Sequence, residues 1–590
     1  MKPIIILPLI LSFSLCQAAE VLPSGGKLIL SPEAKIIPMT GDFGTSRAVQ
    51  VSGESFTKAV QIEVKMASPE KPWNVQLGIP LTDATASAGD VLLLSFMARS
   101  VQGGAGVANA KLQLPAPDFT MAGMTDPVKF GSTWERIYQT IILNIDVPAG
   151  QGGLHFILGE QIQSIEIADI SLRNYGRDFD VTKLPRRKVT YEGRSPDAAW
   201  RSLANERIEK IRKTDYALQL VDADGTPLAN RTVTVDLARH EFGFGSCVTR
   251  ELLTADTPDG VKYREIARRT FSKVVFENDL KPGLFPATPA GRAQLDQSFA
   301  WLAENGILVR GHYLIQEALD SWTNTQLADP VKFKADMLGS VRERIAFAGN
   351  RVIEWDVINH PIAWQGAELL GNRGLPLGSL SMDVLHEAAR LTKLPLWINE
   401  DQIFRPGAQQ DGTYELLTRL KKEGVTIAGL GNQGHFSSSF LPSPEELLRV
   451  TDRFTALVPR QIISEYDITT SADEALAADY TRDIMTVCFS HPAYEGFIIW
   501  GFWEGSHWIP SAAFWKRDWS PTPAALMWEN LILKQWHTHK ILTSDARGII
   551  RWRGFKGTYQ IIGSDGKSTA PTRPGTPQAP KRLSSDIRLD

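Results

Sequence analysis

The sequence predicts an α/β protein whose largest part is a (β/α)8 barrel, preceded by an all-β jelly-roll sandwich and a small β-module. Between residues 241 and 538, eight apolar strand candidates alternate with amphipathic stretches. From residue 20 to 176, short β-rich runs are separated by clusters of Gly, Pro, Asp and Ser, and no long helical period interrupts them. Residues 177–240 combine a basic linker, one helical segment and a β-pair.

Length and charge limit the classes of protein that fit. A chain of 590 residues is too long for one ordinary core, so about two to four domains are expected. The chain carries 63 basic and 66 acidic residues, a formal net charge of −3. This balance gives no electrostatic reason to expect binding to nucleic acid or to an anionic membrane. We expect a monomer with no nucleic-acid partner.

Residues 1–19 have the pattern of a secretory signal peptide. One Lys precedes an apolar run from Pro3 to Leu15, and the small residues Ala18 and Ala19 mark a cleavage site. The run is shorter than the ~20 residues that a membrane span needs, and no other segment is apolar over such a length. We therefore expect an exported protein, secreted or periplasmic, without a membrane span.

The region from residue 20 to 176 is predicted to form a two-sheet sandwich. Its β-rich runs include AVQIEVKM, DVLLLSFMAR, RIYQTIILNI, LHFILG and SIEIADISLRNY. The order of these runs resembles that of the jelly-roll carbohydrate-binding modules found beside polysaccharide-degrading enzymes. The resemblance implies that Trp73, Trp134 and Tyr138 stack on sugar rings, while packing in the core or at a sheet edge is the alternative for each ring.

Residues 177–240 are predicted to form a linker and a small β-module. A helix is expected from about Asp197 to Arg212, where apolar residues recur at roughly helical spacing, and the turn dipeptide Asp224-Gly225 joins two strands. Residues 539–563 have strand and turn character and are expected to pair with this module. The tail, residues 564–590, is rich in Ser, Pro, Lys and Arg, so we expect it to be disordered.

The barrel, residues 241–538, takes its strands from eight apolar segments: FGFGSCV, KVVFEND, LVRGHYLI, VIEWDVIN, PLWINE, IAGLGNQGH, QIISEYDI and GFIIWGFW. The amphipathic stretches expected to be helices are Tyr263–Thr270, Arg292–Glu304, Pro330–Phe347, Met382–Leu394, Tyr414–Glu423, Pro444–Ala456, Glu474–Phe489 and a last one near Ala524–Lys534. A doubly wound open sheet is the alternative, but no Gly-rich phosphate loop opens a helix here. The barrel is therefore preferred.

The stretch RVIEWDVINHPIAW, residues 351–364, indicates where a functional site lies. Its apolar, β-branched run is typical of a strand covered on both faces, yet it ends in Asn359 and His360. Polar groups in such a strand cost about 1–3 kcal/mol each unless they are hydrogen-bonded. These two residues therefore need partners or a function, although the simple start of a loop is the alternative.

The C-terminal ends of barrel strands are where the chemistry of this fold takes place. Amide, carboxylate, imidazole and indole groups gather at these ends in the present sequence: Glu277, Asn278, Lys281, His312, Asn359, His360, Asn399, Glu400, Asp401, Gln433, His435, Glu465, Asp467, Trp500, Trp503, Glu504, His507 and Trp508. Amides and carboxylates bond hydroxyl groups, and indoles stack on the apolar face of a sugar ring. The set predicts a sugar-binding cleft.

The strand motifs resemble those of the glycoside hydrolase family 10 xylanases. FENDLK, RGHYL, WDVIN, LWINED, GLGNQGH, ISEYDI and IIWGFWEGSHW follow one another in that family's order over about residues 242–535. The resemblance implies a TIM barrel with endo-1,4-beta-xylanase-like hydrolase activity and no cofactor. It also implies a polysaccharide partner, xylan or a related β-glycan.

The same resemblance implies roles for individual residues. Glu465 would be the nucleophile, His435 its hydrogen-bond partner, and Asn359 the residue that holds the sugar 2-hydroxyl. His360 stands where the family has its acid/base Glu, and is the catalytic candidate beside Glu465. The other residues that would line the cleft are Glu277, Asn278, Lys281, His312, Gln433, Trp500 and Trp508.

Three positions depart from the family's pattern. Besides His360, Pro282 replaces a Trp, and Gln316-Glu317 replaces Trp-His. A retaining glycosidase needs a nucleophile and a proton donor, typically two carboxyl groups about 5–5.5 Å apart. Imidazole titrates near pH ~6.5 and could both give and take a proton. A protonated imidazole would, however, be a cation beside a cationic transition state.

Three hypotheses follow for the function. The first is a retaining endo-β-glycosidase in which His360, or a carboxylate elsewhere such as Glu317, Glu400 or Glu504, supplies the proton. The second is a catalytically weakened, glycan-binding pseudoenzyme, because general acid/base catalysis typically contributes on the order of 10²–10⁴-fold to rate and little to binding. The third is different chemistry on the same fold.

Metal and disulfide chemistry receive less support from the sequence. Four histidines could face the cleft: His312, His360, His435 and His507. They lack the close spacing of a zinc-ligand pair, so hydrogen-bonding roles are preferred to a zinc site. Cys16 is lost with the signal peptide, and the widely separated Cys247 and Cys488 are expected to be core residues, with a bridge between them as the alternative.

Overall fold

The structure is a computed structural model that describes the chain except for residues 1–21, 31–35, 37–40, 69–70, 82–84, 103, 116–118, 186–188, 317–327, 363–379, 471–472, 565 and 585–590. The chain divides into two compact units, Met1–Lys188 and Val189–Asp590. The predicted signal peptide lies outside the described residues. No helix among those described combines the length and the apolar composition that a membrane crossing requires.

The first unit is a β-sandwich of two antiparallel sheets. Its strands are β1 (Lys27–Leu30), β2 (Gly44–Gln50), β3 (Lys58–Val64), β4 (Gln76–Leu81), β5 (Asp90–Gln102), β6 (Gly106–Gln113), β7 (Met121–Met124), β8 (Val128–Phe130), β9 (Glu135–Ile142), β10 (Gly152–Ile157) and β11 (Gln163–Arg177). One sheet has the order β2-β3-β11-β5-β9, with β1 beside β11, and the other has the order β4-β10-β6-β7, with β8 beside β6. Alternate apolar side chains of both sheets, such as Ile62, Phe96 and Leu154, form its core.

The three aromatic residues predicted to bind sugar in this sandwich differ in environment. Trp73 has a ring that is 47% exposed. Trp134 packs edge-on against Phe56, with ring centroids 4.9 Å apart, and lies under the Arg99 guanidinium. Tyr138 is half-buried in a satellite apolar cluster of the sandwich. Packing accounts for Trp134 and Tyr138, which leaves Trp73 as the ring that is open to a ligand.

The second unit begins with a helix and a small β-module. Helix α1 spans Trp200–Ile211, and the strands of the module are β12 (Lys213–Val221), β13 (Thr232–His240), β23 (His539–Thr543), β24 (Ile549–Phe555), β25 (Gly557–Ile562) and β26 (Lys581–Ser584). They form two three-stranded sheets with the orders β24-β12-β26 and β23-β13-β25. The chain after the barrel therefore pairs with the chain before it, at the place where the sequence analysis expects a shared module.

The disorder predicted for the tail from residue 564 is wrong for much of its described part. Strand β26 pairs in parallel with β12, with Leu218 opposite Lys581. Thr572 and Gly575 form further bridges, to Tyr559 and Ala217. Backbone pairing along the edge of an existing sheet requires few apolar side chains, so composition alone could not reveal it.

The rest of the second unit is a closed parallel barrel, which confirms the predicted fold. Its strands are β14 (Gly243–Val248), β15 (Lys273–Phe276), β16 (Leu308–Ile315), β17 (Glu354–Asn359), β18 (Leu396–Glu400), β19 (Gly429–Asn432), β20 (His435–Ser437), β21 (Gln461–Thr469) and β22 (Tyr494–Ile499). The order is β19-β18-β17-β16-β15-β14-β22-β21-β20, and a further β19–β21 pairing closes the ring. Strands β19 and β20 share one of the eight positions, because both pair with β21.

Helices follow the barrel strands. Those described are α2 (Arg250–Thr254), α3 (Pro258–Thr270), α4 (Pro289–Glu304), α5 (Pro330–Ala348), α6 (Leu380–Leu391), α7 (Ala408–Lys422), α8 (Pro444–Thr455), α9 (Glu474–Ser490) and α10 (Pro523–Asn530). Several begin with a Ser or Thr cap followed by Pro: Thr257 and Ser443, for example, accept the backbone N–H groups of Gly260 and Glu446. These caps place the start of α3 about five residues before the start that apolar periodicity predicts.

Among the described residues, Cys247 and Cys488 are buried free thiols. Cys247 lies in an apolar cluster with Val275, Trp397 and Trp500, and Cys488 belongs to the main core of the second unit. The alternative of a disulfide between them therefore does not hold.

Candidate active site

The carboxylate of Glu465, near the C-terminal end of β21, is the centre of the barrel mouth. Asn399 Nδ2 donates to its Oε1 over 2.6 Å. His435 Nε2 lies 3.5 Å from its Oε2, and His312 Nε2 lies 3.9 Å from its Oε1. The side chain is only 6% exposed. Strands β16, β18, β20 and β21 thus hold one carboxylate between an amide and two imidazoles.

Each of the two imidazoles is itself oriented by a second carboxylate. His435 Nδ1 lies 2.9 Å from Asp467 Oδ1, and His312 Nδ1 lies 3.0 Å from Asp356 Oδ2. An ionised carboxylate only accepts hydrogen bonds, so each ring donates from Nδ1 and turns Nε2 towards Glu465. Burial lowers the pKa of His435, but the charge and hydrogen bond of Asp467 and the hydrogen bond of Glu465 raise it well above its ordinary value. His435 is therefore a cation beside Glu465.

Glu465 remains ionised although it is buried. Burial raises the pKa of this carboxyl. The hydrogen bond of His435 and the positive charges that His312, His435 and His360 carry when protonated outweigh burial and lower the pKa to about 2. A buried carboxylate that keeps its charge can attack an electrophilic carbon or stabilise a developing cation.

A buried ion-pair network beneath the mouth supports His312. Lys273 Nζ lies 2.8 Å from Glu354 Oε1, and Arg310 Nη1 lies 3.0 Å from the same oxygen. Arg310 also pairs with Asp356 through two nitrogens. Burial raises the pKa of Glu354, but the charges of Lys273 and Arg310 hold it at about 2. The network fixes the carboxylate of Asp356, which in turn orients the His312 ring.

A chain of side-chain amides connects Glu465 with His360. Asn399 Nδ2 reaches both Glu465 and Asn359 Oδ1, the latter over 2.7 Å. Gln433 Nε2 lies 3.2 Å from Asn359 Oδ1 and 3.1 Å from His360 Nε2. Four strand ends that are far apart in sequence therefore share one hydrogen-bonded chain.

His360 follows the last residue of β17 and has a left-handed backbone, with φ of +50°. Its backbone N–H donates to Asn399 O over 2.9 Å, and its Nδ1 lies 3.7 Å from Glu400 Oε1. The side chain is 13% exposed. The imidazole therefore borders the cleft, with one nitrogen near Gln433 and the other near Glu400.

The sequence analysis names three carboxylates as alternative proton donors, and the structure describes two of them, Glu400 and Glu504. Glu400 is fully buried, and its oxygens accept the backbone N–H groups of Ile362 and Asp401, so it contacts no ligand in the cleft. The carboxylate of Glu504 accepts the backbone N–H of Arg517 over 2.7 Å, which ties it to its own loop. Glu317 lies outside the described residues.

One wall of the mouth is formed by residues that follow β15 and β22. Trp500 meets the His312 ring edge-on, with centroids 5.1 Å apart, and Lys281 Nζ lies 5.7 Å from the Trp500 ring. Lys281 also donates to Asn278 Oδ1 over 3.2 Å. Burial raises the pKa of Glu277, Lys281 lowers it, and the nearby Glu465 adds to the rise. Trp500 itself is only 6% exposed, so this part of the mouth offers several hydroxyl-binding atoms beside a largely buried indole.

A second aromatic group of the mouth is Trp508, whose indole is more than half exposed. Its Nε1 donates to Asp467 Oδ2 over 2.8 Å, and its ring meets that of His435 with centroids 5.3 Å apart. The neighbouring His507 is buried, which lowers its pKa to about 4, and its Nδ1 accepts the backbone N–H of Ile509. The fixed, exposed face of Trp508 is suited to stacking against a sugar.

The residues predicted for this site therefore meet at one mouth, and Asn399 and Asp467 of the predicted rim contact Glu465 and His435 there. Two residues outside the predicted rim also take part: Asp356 contacts His312, and Gln316 Oε1 accepts Asn359 Nδ2 over 2.9 Å. Asp356 is visible in the sequence as a polar group inside a buried strand, which is the signal that could have included it. Within the described part of the chain, no group of three or more His, Cys, Asp and Glu side chains could hold a metal ion.

Comparison with known proteins places the barrel in a family. The family model "Glycosyl hydrolase family 10" matches residues 234–531. The anti-sigma-I factor RsgI6 of Acetivibrio thermocellus is 29% identical over 390 residues, which are 64% of this chain and 49% of that protein. Endo-1,4-beta-xylanase 1 of Arabidopsis thaliana is 23% identical over 472 residues, 72% of this chain and 47% of that protein. The chain thus spans about half the length of these curated relatives.

Solved structures show similarity at a lower level. Native xylanase 10B from Thermotoga maritima matches 50% of this chain and 96% of its own, with 19% identity and a TM-score of 0.43. The carbohydrate-binding and catalytic modules of the Clostridium thermocellum xylanase 10B, complexed with xylohexaose, match 86% of this chain and 96% of their own, with 12% identity and a TM-score of 0.40. Because the family match covers about half of the 590 residues, the chain belongs to glycosyl hydrolase family 10.

Proposed function

We propose that this protein is a retaining endo-β-glycosidase that cleaves a β-1,4-linked glycan, with Glu465 as the nucleophile and xylan as the first substrate to test. The observation that carries the proposal is the state of Glu465: a buried, ionised carboxylate whose oxygens are aligned by Asn399 and His435. Relatives named endo-1,4-beta-xylanase support the substrate class.

In this proposal each part of the mouth has a task. Glu465 attacks the anomeric carbon and forms a covalent glycosyl intermediate, which water then hydrolyses. His435 keeps the nucleophile ionised. Asn359, in the middle of the amide chain, holds the sugar 2-hydroxyl, a contact that strengthens in the transition state. The sugar rings lie against Trp500 and Trp508, and their hydroxyls bond the other polar groups of the rim: Glu277, Asn278, Lys281, His312 and Gln433.

A glycan-binding pseudoenzyme is the second candidate, and one observation favours it. By the resemblance of the sequence motifs His360 would stand at the acid/base position, and in the structure Glu400 is buried and Glu504 accepts a backbone N–H of its own loop. Loss of a proton donor typically slows the chemistry by on the order of 10²–10⁴-fold. The groups that bind hydroxyls and sugar faces would be unaffected by such a loss, so binding could persist without useful turnover.

The remaining parts of the chain fit an extracellular role. The signal-like residues 1–19 support export to a secreted or periplasmic location. The exposed ring of Trp73 makes the N-terminal sandwich a candidate carbohydrate-binding module. We propose a monomer that acts on polysaccharide without a cofactor and without a nucleic-acid partner.

Incubation of the protein with β-1,4-xylan and a panel of other β-glycans tests the proposal. We expect new reducing ends from at least one β-1,4-linked glycan, and proton NMR of the first product should show the β-anomer, as retention requires. Initial release of the α-anomer would contradict Glu465 as a covalent nucleophile. Binding of a glycan without any release of sugar would instead favour the pseudoenzyme.

Because the pKa of Glu465 is low, we expect the rate of its covalent labelling to change little as the pH falls below 7. A 2-fluoro glycoside with an activated leaving group requires only the ionised nucleophile. With a pKa of about 2, Glu465 stays ionised as the pH falls, so the trapping rate should be constant from pH 7 to about pH 4 and should decline only near about pH 3 and below. Mass spectrometry of the labelled protein measures the rate.

The His435→Gln variant provides the comparison for this pH profile. The hydrogen bond of His435 is the largest of the effects that lower the pKa of Glu465, so its loss should move the acid decline upwards by about one pH unit or more. His539→Gln removes an exposed imidazole that pairs with Asp236 in the small β-module, and should leave the profile unchanged. A decline centred near pH 4–5 in the unmodified protein would show that Glu465 is not held in its ionised form.

A further inference from the structure

In the amide chain between Glu465 and His360, each hydrogen bond has a fixed donor and a fixed acceptor. The carboxylate of Glu465 determines them. Glu465 is ionised and can only accept hydrogen bonds. The atom of Asn399 that lies 2.6 Å from it must therefore be the amide nitrogen. The second hydrogen of the same nitrogen points to Asn359 over 2.7 Å, so the atom of Asn359 at that contact must be its oxygen.

The next hydrogen bond of the chain joins Asn359 and Gln433, and its donor is also fixed. Asn359 Oδ1 already accepts from Asn399, and its own Nδ2 donates to Gln316 Oε1 over 2.9 Å. The Gln433 atom that lies 3.2 Å from Asn359 Oδ1 must be a donor, because two amide oxygens would repel each other. Gln433 therefore presents its NH₂ group at this point and cannot be turned over without loss of the contact.

The second hydrogen of that NH₂ group fixes the protonation of His360. Gln433 Nε2 lies 3.1 Å from His360 Nε2, which must accept. A neutral imidazole that accepts at Nε2 carries its proton on Nδ1, the nitrogen that lies 3.7 Å from Glu400 Oε1. A proton on Nε2 would set one N–H against another and break the Gln433 bond.

We propose that His360 does not act as a proton donor, and that the site therefore cleaves bonds from sugar to phenolic or other acidic leaving groups far faster than bonds between sugars. This inference rests on the proposed function. It assigns a chemical class of substrate that family membership does not specify.

The two steps of the reaction follow from this assignment. In the first, a Glu465 oxygen forms a bond to the anomeric carbon, and the bond to the leaving oxygen breaks with its electron pair, so the leaving group departs as an anion. In the second, a water oxygen bonds to the anomeric carbon and loses a proton to solvent, and the electron pair of the glycosyl–Glu465 bond returns to the carboxylate. The hydrogen bond from Gln433 occupies the one lone pair of His360 Nε2, so this nitrogen takes no part in the proton transfer.

A series of aryl β-xylobiosides that share one sugar part tests the substrate class. We expect kcat/KM, which reports the first step, to fall by on the order of 10²–10⁴-fold from dinitrophenyl through nitrophenyl to phenyl leaving groups, because the contribution of a proton donor is missing. A nearly constant kcat/KM across the series would overturn the inference and leave the proposed function intact. No cleavage of even the dinitrophenyl substrate would overturn the proposed function itself.

The tautomer can be measured without any activity. Nitrogen-15 NMR of histidine-labelled protein, with the His360 signals assigned by their absence in His360→Gln, distinguishes a bare acceptor nitrogen from one that carries hydrogen. We expect Nε2 to be the bare acceptor and Nδ1 to be protonated. The opposite pattern, with hydrogen on Nε2, would overturn the inference whatever the kinetic results.

Gln433→Met separates the hydrogen bond from the rest of the site. Met has a similar length and cannot donate, so His360 should no longer be confined to one tautomer and its nitrogen-15 signals should shift towards an average of the two forms. Gln219→Met is the matched control, because Gln219 donates to Arg547 O in the small β-module. Unchanged His360 signals in Gln433→Met would show that Gln433 does not set the tautomer.

Discussion

Glu465→Gln is expected to lower kcat/KM for dinitrophenyl β-xylobioside and for xylan by about 10⁴–10⁶-fold, the order of loss that follows removal of a catalytic group from a covalent mechanism. The amide has nearly the same shape as the carboxylate, and its oxygen can still accept the hydrogen bond that Asn399 donates to Glu465. It lacks the negative charge and the electron pair that attack the anomeric carbon. The loss should therefore appear in the chemistry and not in the fold.

Two measurements separate this loss from a general defect. The affinity of Glu465→Gln for xylo-oligosaccharides should remain within about threefold by calorimetry, because it keeps the indole walls and the hydroxyl-binding amides. Glu504→Gln changes another rim carboxylate, one that is bound to Arg517 N, and should retain most of the activity. A Glu465→Gln protein with more than about a tenth of the parent rate would contradict Glu465 as the nucleophile.

The barrel could be predicted from sequence because its strands and helices differ in the local pattern of their apolar residues. Parallel strands buried on both faces give short apolar runs such as VIEWDVIN, and the helices between them give amphipathic stretches. Some helix starts were less accurate: α3 and α4 begin before their predicted starts, since apolar periodicity gives no information on caps such as Thr257 and Thr288. Strand β26 was missed because its pairing uses backbone groups, which composition does not reveal.

The residues of the candidate site could be predicted from the sequence, but the hydrogen bonds between them could not. Strand ends pointed to Glu465, His435, Asn359 and His360, and the closed barrel brings them to one mouth. The contact between Asn399 and Glu465 joins residues 66 positions apart and depends on the register of four strands. The direction of the amide chain depends on which atom of each amide faces its neighbour, and no sequence pattern carries that information.

His360→Glu is expected to raise the rate of hydrolysis of xylan, or of another glycan with a sugar leaving group, by on the order of 10²–10⁴-fold. The substitution places a carboxyl group at the edge of the cleft, where one oxygen can accept from Gln433 while the other carries a proton towards the cleft. His360 already has a left-handed backbone without being Gly, so Glu should fit there with little added strain. The measurement is reducing-end release under conditions of equal folding, checked by thermal unfolding.

The rate gain of His360→Glu should depend on the leaving group. A proton donor accelerates departure of a sugar alkoxide strongly and departure of a dinitrophenolate hardly at all, so His360→Glu should improve xylan cleavage while leaving the dinitrophenyl substrate nearly unchanged. His360→Gln introduces a side chain of similar length that cannot titrate, and should show no such gain. If His360→Glu folds normally and gains nothing on xylan, the missing proton is not what limits the site. The altered residues Pro282 and Gln316 in the cleft walls would then become the first positions to restore.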